Sequence, residues 1–191
     1  MHKKSAFFRM LDALERGDFI LRYVPFGKGE RETHYKLIDP FCIFSLKRVK
    51  GNEAKRNYFV NSGNSPVGLA FENLCLNHLG QIERKLGISG IQTQASFFAS
   101  PKEDGHPGGQ IDLIITRKDG DANLCEMEFY SDLFACDECS HLALEGKIAA
   151  IKPFLGRKAS IFPVLVTTFG LRQGAYASDY PSVVALKDLF M

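Results

Sequence analysis

Apolar residues recur at helical spacing near the start of the chain, and the period then switches between helix and strand, with turn residues at each change. Phe7, Met10, Leu11 and Leu14 are spaced for one helical face, and Gly17 stops it. Residues 19–24 and 33–37 then read as two strands around the turn cluster Gly27-Lys28-Gly29-Glu30, which predicts a hairpin. Asp39-Pro40 closes that unit. Residues 41–49 form a short apolar element that runs into Lys47-Arg48-Val49-Lys50 and Lys55-Arg56, and they read as a basic connector.

A longer pattern begins after Asn61-Ser62-Gly63-Asn64-Ser65-Pro66, where Ser65 suits an N-cap and Pro66 the first helical position. Phe71, Cys75, Leu79, Ile82 and Leu86 keep one helical face up to Gly87, which predicts a single long helix. Residues 91–99, 110–116 and 124–130 read as three strands, with a polar loop over 101–109. Residues 137–155 are helical up to Gly156, and 160–168 form an apolar, β-branched strand suited to the interior of a sheet. Residues 183–186 predict a last edge strand or a turn into a terminal helix. The order from Ser65 is α-β-β-β-α-β, an α/β domain with a central mixed sheet.

Composition adds limits to this picture. With 191 residues, 45% hydrophobic and 24% charged, the chain has the make-up of a globular protein. Its apolar runs are far shorter than the roughly 20 residues that span a bilayer, so no membrane association is expected. Arg9, Asp12, Glu15 and Arg16 interrupt any signal-peptide core, which points to the cytoplasm. Five scattered cysteines are read as reduced thiols. The net charge of +2 conceals an asymmetry: residues 1–60 carry 13 Lys/Arg against 7 Asp/Glu, a balance of +6, and the remainder carries −4. The basic part interleaves charge with aromatics (Arg22, Tyr23, Phe26, Lys28, Arg31, Tyr35, Lys36), a composition suited to phosphates or to an acidic protein surface.

Several acidic residues fall where burial is expected. Glu72 lies on the apolar side of its helix, three residues before Cys75. Asp112 sits within Ile111-Asp112-Leu113-Ile114-Ile115, and Glu126 and Glu128 within Leu124-Cys125-Glu126-Met127-Glu128-Phe129. Buried carboxylates need a cation or a metal to offset desolvation. Hairpin register decides whether they meet. A three-residue loop Lys118-Asp119-Gly120, with Gly120 left-handed, sets Arg117 opposite Asp121 and Asp112 opposite Glu126. A two-residue turn would place Asp112 against Met127 instead. The first register gathers Asp112, Glu126 and Glu128 on one face, with Glu72 approaching from the helix packed on it. Such oxygen ligands suit Mg²⁺ or Mn²⁺ and metal-dependent phosphodiester hydrolysis.

These residues and their order resemble the PD-(D/E)XK, or restriction-endonuclease-like, nuclease superfamily. The closer resemblance is to the C-terminal domain of a family of archaeal and bacterial AAA-type ATPases, in which an ATPase is followed by a winged helix and a nuclease-like domain. It is carried by Tyr35-Lys36-Leu37-Ile38-Asp39-Pro40-Phe41, Gly68-Leu69-Ala70-Phe71-Glu72, Gly109-Gln110-Ile111-Asp112-Leu113-Ile114-Ile115-Thr116-Arg117, Asn123-Leu124-Cys125-Glu126-Met127-Glu128-Phe129 and Thr167-Thr168-Phe169-Gly170-Leu171. The resemblance implies a winged-helix tail (1–40), a basic connector (41–65) and a nuclease-like domain (66–191). It implies DNA and an ATPase domain as partners and allows a homodimer. This sequence contains no phosphate loop of the type G-x-x-x-x-G-K-[ST].

The resemblance also implies roles: Asp112, Glu126 and Glu72 as metal ligands, with Glu72 outermost. The family's third motif ends in Lys, and here Glu128 stands at that position. Some restriction endonucleases of this fold carry Glu there, and Lys147 on the following helix is a second source of the cation; otherwise it is a solvated helix residue. The domain is then either a metal-dependent DNA hydrolase or an inactive nuclease fold that binds DNA or a protein. Cys136, Cys139 and His141 lack the second cysteine pair of a structural zinc site, and His106 reads as an exposed loop residue.

Overall fold

The computed structural model describes residues 6–49, 66–100 and 109–191. Its chain order is α1 (Ala6–Arg16), β1 (Ile20–Tyr23), β2 (His34–Leu37), α2 (Pro40–Val49), α3 (Pro66–Asn77), α4 (Leu79–Lys85), β3 (Thr93–Ser100), β4 (Gly109–Arg117), β5 (Ala122–Glu128), α5 (Glu138–Ile151), β6 (Ile161–Thr167) and β7 (Ser182–Ala185). Strands β3 to β7 lie in sequence order in one sheet, antiparallel from β3 through β5 and parallel from β5 through β7. The fold is therefore mixed α/β around a five-stranded mixed sheet.

Each face of the sheet has its own apolar core. On one face Phe71 and Cys75 of α3 and Ile82 of α4 pack on Leu113, Ile115, Cys125, Met127, Val164 and Val166. On the other, Leu144, Ala150 and Ile151 of α5 pack on Ile111, Ile114, Leu124 and Leu165. The apolar run in β6 has β5 and β7 on its two edges, and both of its faces are covered, Val164 and Val166 by one core and Leu165 by the other. Both readings of the last segment hold in succession, since β7 is followed by a short 3-10 helix, Leu186–Phe190.

The long helix divides at His78, whose φ of −114° and ψ of 30° leave the helical region. Its Nδ1 lies 2.8 Å from the Leu74 carbonyl oxygen. A carbonyl only accepts, so the ring donates there and competes with the backbone for the acceptor that would continue the helix. Gly87 closes α4 as expected: it has a φ of +71°, with Gly87 N–H on Arg84 O and Ile88 N–H on Glu83 O. Ser65, the expected N-cap of the long helix, lies outside the described residues, as do most of the basic connector and His106. The part of the connector that is described, up to Val49, forms the helix α2 and packs on α3.

The hairpin β1–β2 is docked against the sheet. Phe26 N–H donates to Phe97 O (2.7 Å) on the open edge of β3, and Asn73 Nδ2 donates to Ile38 O (2.7 Å). Gly27 has a φ of +78° and passes so close to Phe154 that a Cβ would meet its ring at 2.6 Å. Covering an edge strand in this way blocks its pairing with another chain. No helix among the described residues is long and apolar enough to cross a membrane.

Candidate functional site

The β4–β5 connection fixes the site. Thr116 pairs with Ala122 and Leu113 with Cys125, Arg117 N–H donates to Asp121 O (2.9 Å), and Gly120 has a φ of +98°. This is the three-residue loop with a left-handed glycine; the paired register ends at Leu113 opposite Cys125, and Asp112 and Glu126 are the next residues beyond it.

A second irregularity, absent from the sequence pattern, aims Asp112. On β3, Ser96 pairs with Ile114 and Phe98 with Ile111, so Phe97 alone faces two residues of β4, Asp112 and Leu113. This bulge turns β4 by one residue: Ile111 and Ile114 serve the α5 side, while Leu113 and Ile115 serve the α3 side. Asp112 falls at the point of the switch. Its Oδ2 accepts from the Met127 N–H (3.1 Å), taking the place of a backbone acceptor where the β4–β5 ladder ends.

Glu126 lies two residues beyond Leu124 on the same strand face and so faces α5, and it is only 4% exposed. Lys147 of α5 donates to its Oε2. The other oxygen, Oε1, is buried with no hydrogen-bond partner among the described residues. Glu128 pairs in register with Thr167 of β6 on the same face, and Thr167 Oγ1 is likewise buried and unpartnered. Two orphaned oxygens therefore sit along one side of the sheet. An unmet acceptor in such a setting costs free energy unless a ligand, ion or water serves it.

Glu72 comes from the other face. Its helix packs on the Cys125 and Met127 side, opposite to Glu126, which corrects the expectation that it would descend onto the face of the other three carboxylates. Lys36 of β2 pairs with it, Nζ to Oε2, at 2.6 Å. Its charge nonetheless reaches Glu128.

The electrostatics follow from burial. Desolvation pushes Glu126 up to about 7, with the Asp112 charge adding to the rise and Lys147 opposing it. Desolvation also raises Glu128 to about 7, reinforced by Asp112 and Glu72. Burial disfavours the Lys147 ammonium, but Glu126, Asp112 and Glu128 outweigh that effect and hold it above the ordinary lysine range. The Tyr180 phenol, buried near these charges, is held well above its usual range by desolvation and by Glu126. Burial pushes the Cys75 thiol up to about 12, with Glu72 and Asp112 contributing.

Fully ionised, Glu72, Asp112, Glu126 and Glu128 exceed Lys36 and Lys147 by two negative charges, which is the charge of one divalent cation. Among the described residues no group of three or more His, Cys, Asp and Glu side chains is arranged to hold a metal ion by itself. A donor set of two carboxylates with an orphaned oxygen still fits Mg²⁺ or Mn²⁺, because Mg²⁺ is usually held through one or two carboxylates and keeps several waters.

Elsewhere, His141 Nδ1 lies 2.7 Å from Asp179 Oδ2 and its ring stacks on Tyr176 at 4.7 Å, while Cys136 Sγ lies 4.0 Å from the same carboxylate. Asp137 caps α5, accepting from Ser140 N–H at 2.8 Å. Sequence reasoning named neither Lys36 nor Thr167 nor Tyr180 as site residues. Lys36 had one signal, its place in a basic and aromatic segment.

No protein-family model matches the chain, and no curated protein matches it. Among solved structures it is similar to the "Crystal Structure of Protein of Unknown Function AF1548", at 13% identity and a TM-score of 0.40, with 61% of this chain and 64% of that chain covered.

Proposed function

We propose that this chain is a restriction-endonuclease-like, PD-(D/E)XK module that hydrolyses DNA phosphodiester bonds with Mg²⁺ or Mn²⁺. The observation that carries the reading is the bulge at Asp112, whose Oδ2 accepts from the Met127 N–H where the ladder ends, next to Glu126, whose buried Oε1 has no hydrogen-bond partner among the described residues. Asp112 and Glu126 hold the metal in this reading, with water completing its shell. A bound divalent cation supplies Lewis acidity toward the phosphate and a water of lowered pKa.

The remaining steps belong to the chain's own side chains. Glu128, pushed up to about 7, is matched to accept a proton from the attacking water near neutral pH. Lys147 orients Glu126 and offsets its charge, and Glu72, fixed by Lys36, is the outermost carboxylate. α1 and the hairpin are the end of a winged helix, and an ATPase domain is the protein partner.

A second reading, an inactive nuclease fold that binds DNA or the ATPase, is favoured by one observation: Glu126 already has a counter-ion in Lys147. Thermal unfolding in EDTA, Mg²⁺ and Mn²⁺ separates the two. At 100 times Kd a metal adds about 2.7 kcal/mol, or about 5–10 °C for a chain of this size. The hydrolase reading expects that gain in the wild type and its loss in Asp112→Asn. DNA binding without any metal response supports the inactive fold.

A further inference from the structure

The hairpin meets the sheet on the α3 side, beside Glu72, and the side chains at that junction are aromatic and basic. Cross-strand partners share a face, so Tyr23 with His34, and Leu21 with Lys36, form one side of the hairpin. That side turns toward β3: the Tyr23 and Phe97 ring centroids are 4.5 Å apart, Tyr23 and His34 are 5.7 Å apart, and Lys36 Nζ lies 5.4 Å above the Phe97 ring.

Phe97 is also the residue that faces Asp112 across the bulge. Neighbouring strands are about 5 Å apart, so the aromatic row begins one strand away from Asp112; Phe98 belongs to the α5-side core, so Phe97 lies on the α3 side with Glu72 and across the sheet from Glu126 and Glu128. Neither apolar core includes Tyr23, His34 or Phe97; His34 is exposed and the two rings are half-buried. Of the ion pair beside them, Lys36 is the more accessible member, its side chain 19% exposed against 8% for Glu72.

The geometry points to a subsite for an unpaired nucleotide at this junction, with a base stacked against His34, Tyr23 and Phe97 and its phosphate held by Lys36. The inference deepens the hydrolase reading and rests on it for the position of the reacting phosphate. It names the substrate class as single-stranded or frayed nucleic acid. Aromatic faces receive any base, and a neighbouring ammonium tracks the backbone. Glu72 acts here as a positioning residue, because it fixes the Lys36 ammonium.

Fluorescence anisotropy with a labelled single-stranded octamer and a duplex of the same sequence, in Ca²⁺ across a salt series, tests this on the full chain. The wild type is expected to prefer the single strand. His34→Ala and Tyr23→Ala are expected to weaken single-strand binding about 5-fold or more each, as loss of stacking does, with the salt slope unchanged. Lys36→Gln is expected to weaken binding and reduce the slope by about 0.7, one phosphate contact on a single strand.

Tyr23→Phe and Lys36→Arg are expected to restore most of the affinity. Lys36→Gln combined with Glu72→Gln removes both buried charges and keeps the test valid should the single variant unfold. Equal binding of duplex and single strand, with folded variants that match the wild type in affinity and slope, overturns the subsite. Cleavage in Mg²⁺ with that result removes the subsite alone. Single-strand binding lost in the variants, without cleavage by the wild type in any metal, keeps the subsite and removes hydrolysis.

Discussion

Glu128→Gln is a sharp perturbation, because it removes one charge from the site and leaves its shape. Glu128 is raised from 4.5 to about 7, first by burial and then by Asp112 and Glu72. A carboxyl whose pKa is higher in the folded state holds its proton more tightly there than in the unfolded chain. Its contribution to stability is complete below about 4.5 and is lost as pH rises through about 7. A shift of that size, at 1.36 kcal/mol per unit, sets an upper limit of about 3 kcal/mol. Glutamine stays neutral at every pH. In EDTA, Glu128→Gln is therefore expected to unfold about 6–12 °C above the wild type at pH 8 at that limit, and only about 2–3 °C above it at pH 5, where the unfolded carboxyl is already part-ionised. Thermal melts followed by circular dichroism at pH 5, 6, 7 and 8 read both numbers. A variant less stable than the wild type at pH 8, or an effect of equal size at pH 5, would refute the burial that raises Glu128.

Two more expectations come from the same electrostatics. Glu126 and Glu128 must lose their protons to admit a cation, so the rise in melting temperature given by a fixed Mg²⁺ concentration should be larger at pH 8 than at pH 6; calorimetry in buffers of different ionisation enthalpy would count the protons released. Lys147→Met strands Glu126 without its cation. Breaking a buried pair costs about 3–5 kcal/mol, and because the Lys147 side chain is 24% exposed the expected loss is about 2–4 kcal/mol at pH 8. Adding Glu126→Gln should recover part of it in denaturant melts.

Local rules carried much of this fold. The α/β order from Pro66 was legible because each element changes hydrophobic period and ends on a residue with a physical reason to end it, as Gly87 does with its positive φ. The β4–β5 register was legible for the same reason: Gly120 accepts a φ that few other residues take, and that choice sets Leu113 against Cys125, one residue from Asp112 and Glu126. The division of the helix at His78 was not, since it turns on a ring nitrogen bonding a carbonyl one turn back, and the apolar spacing runs through it undisturbed.

What escaped the sequence was long-range. The bulge at Asp112 and Leu113 is set by pairing with Phe97, and no feature of β4 alone announces an extra residue. The pairing of Glu72 with Lys36 joins residues in different elements, so a buried carboxylate was legible while its partner was not. The same holds for the side of the sheet from which Glu72 arrives, which depends on how α3 packs and not on its own periodicity.

The central claim is that Asp112 and Glu126 form a working metal site despite Glu128. Incubation of plasmid and single-stranded DNA with the wild type, Asp112→Asn and Glu128→Lys in Mg²⁺ or Mn²⁺, read on gels, tests it most directly. The account predicts cleavage by the wild type that falls at least about 100-fold in Asp112→Asn, since even outer-shell partners of a metal cost 10–100-fold when lost. Intact DNA in all three reactions would contradict it, and cleavage that appears only in Glu128→Lys would show a nuclease fold silenced at that one position.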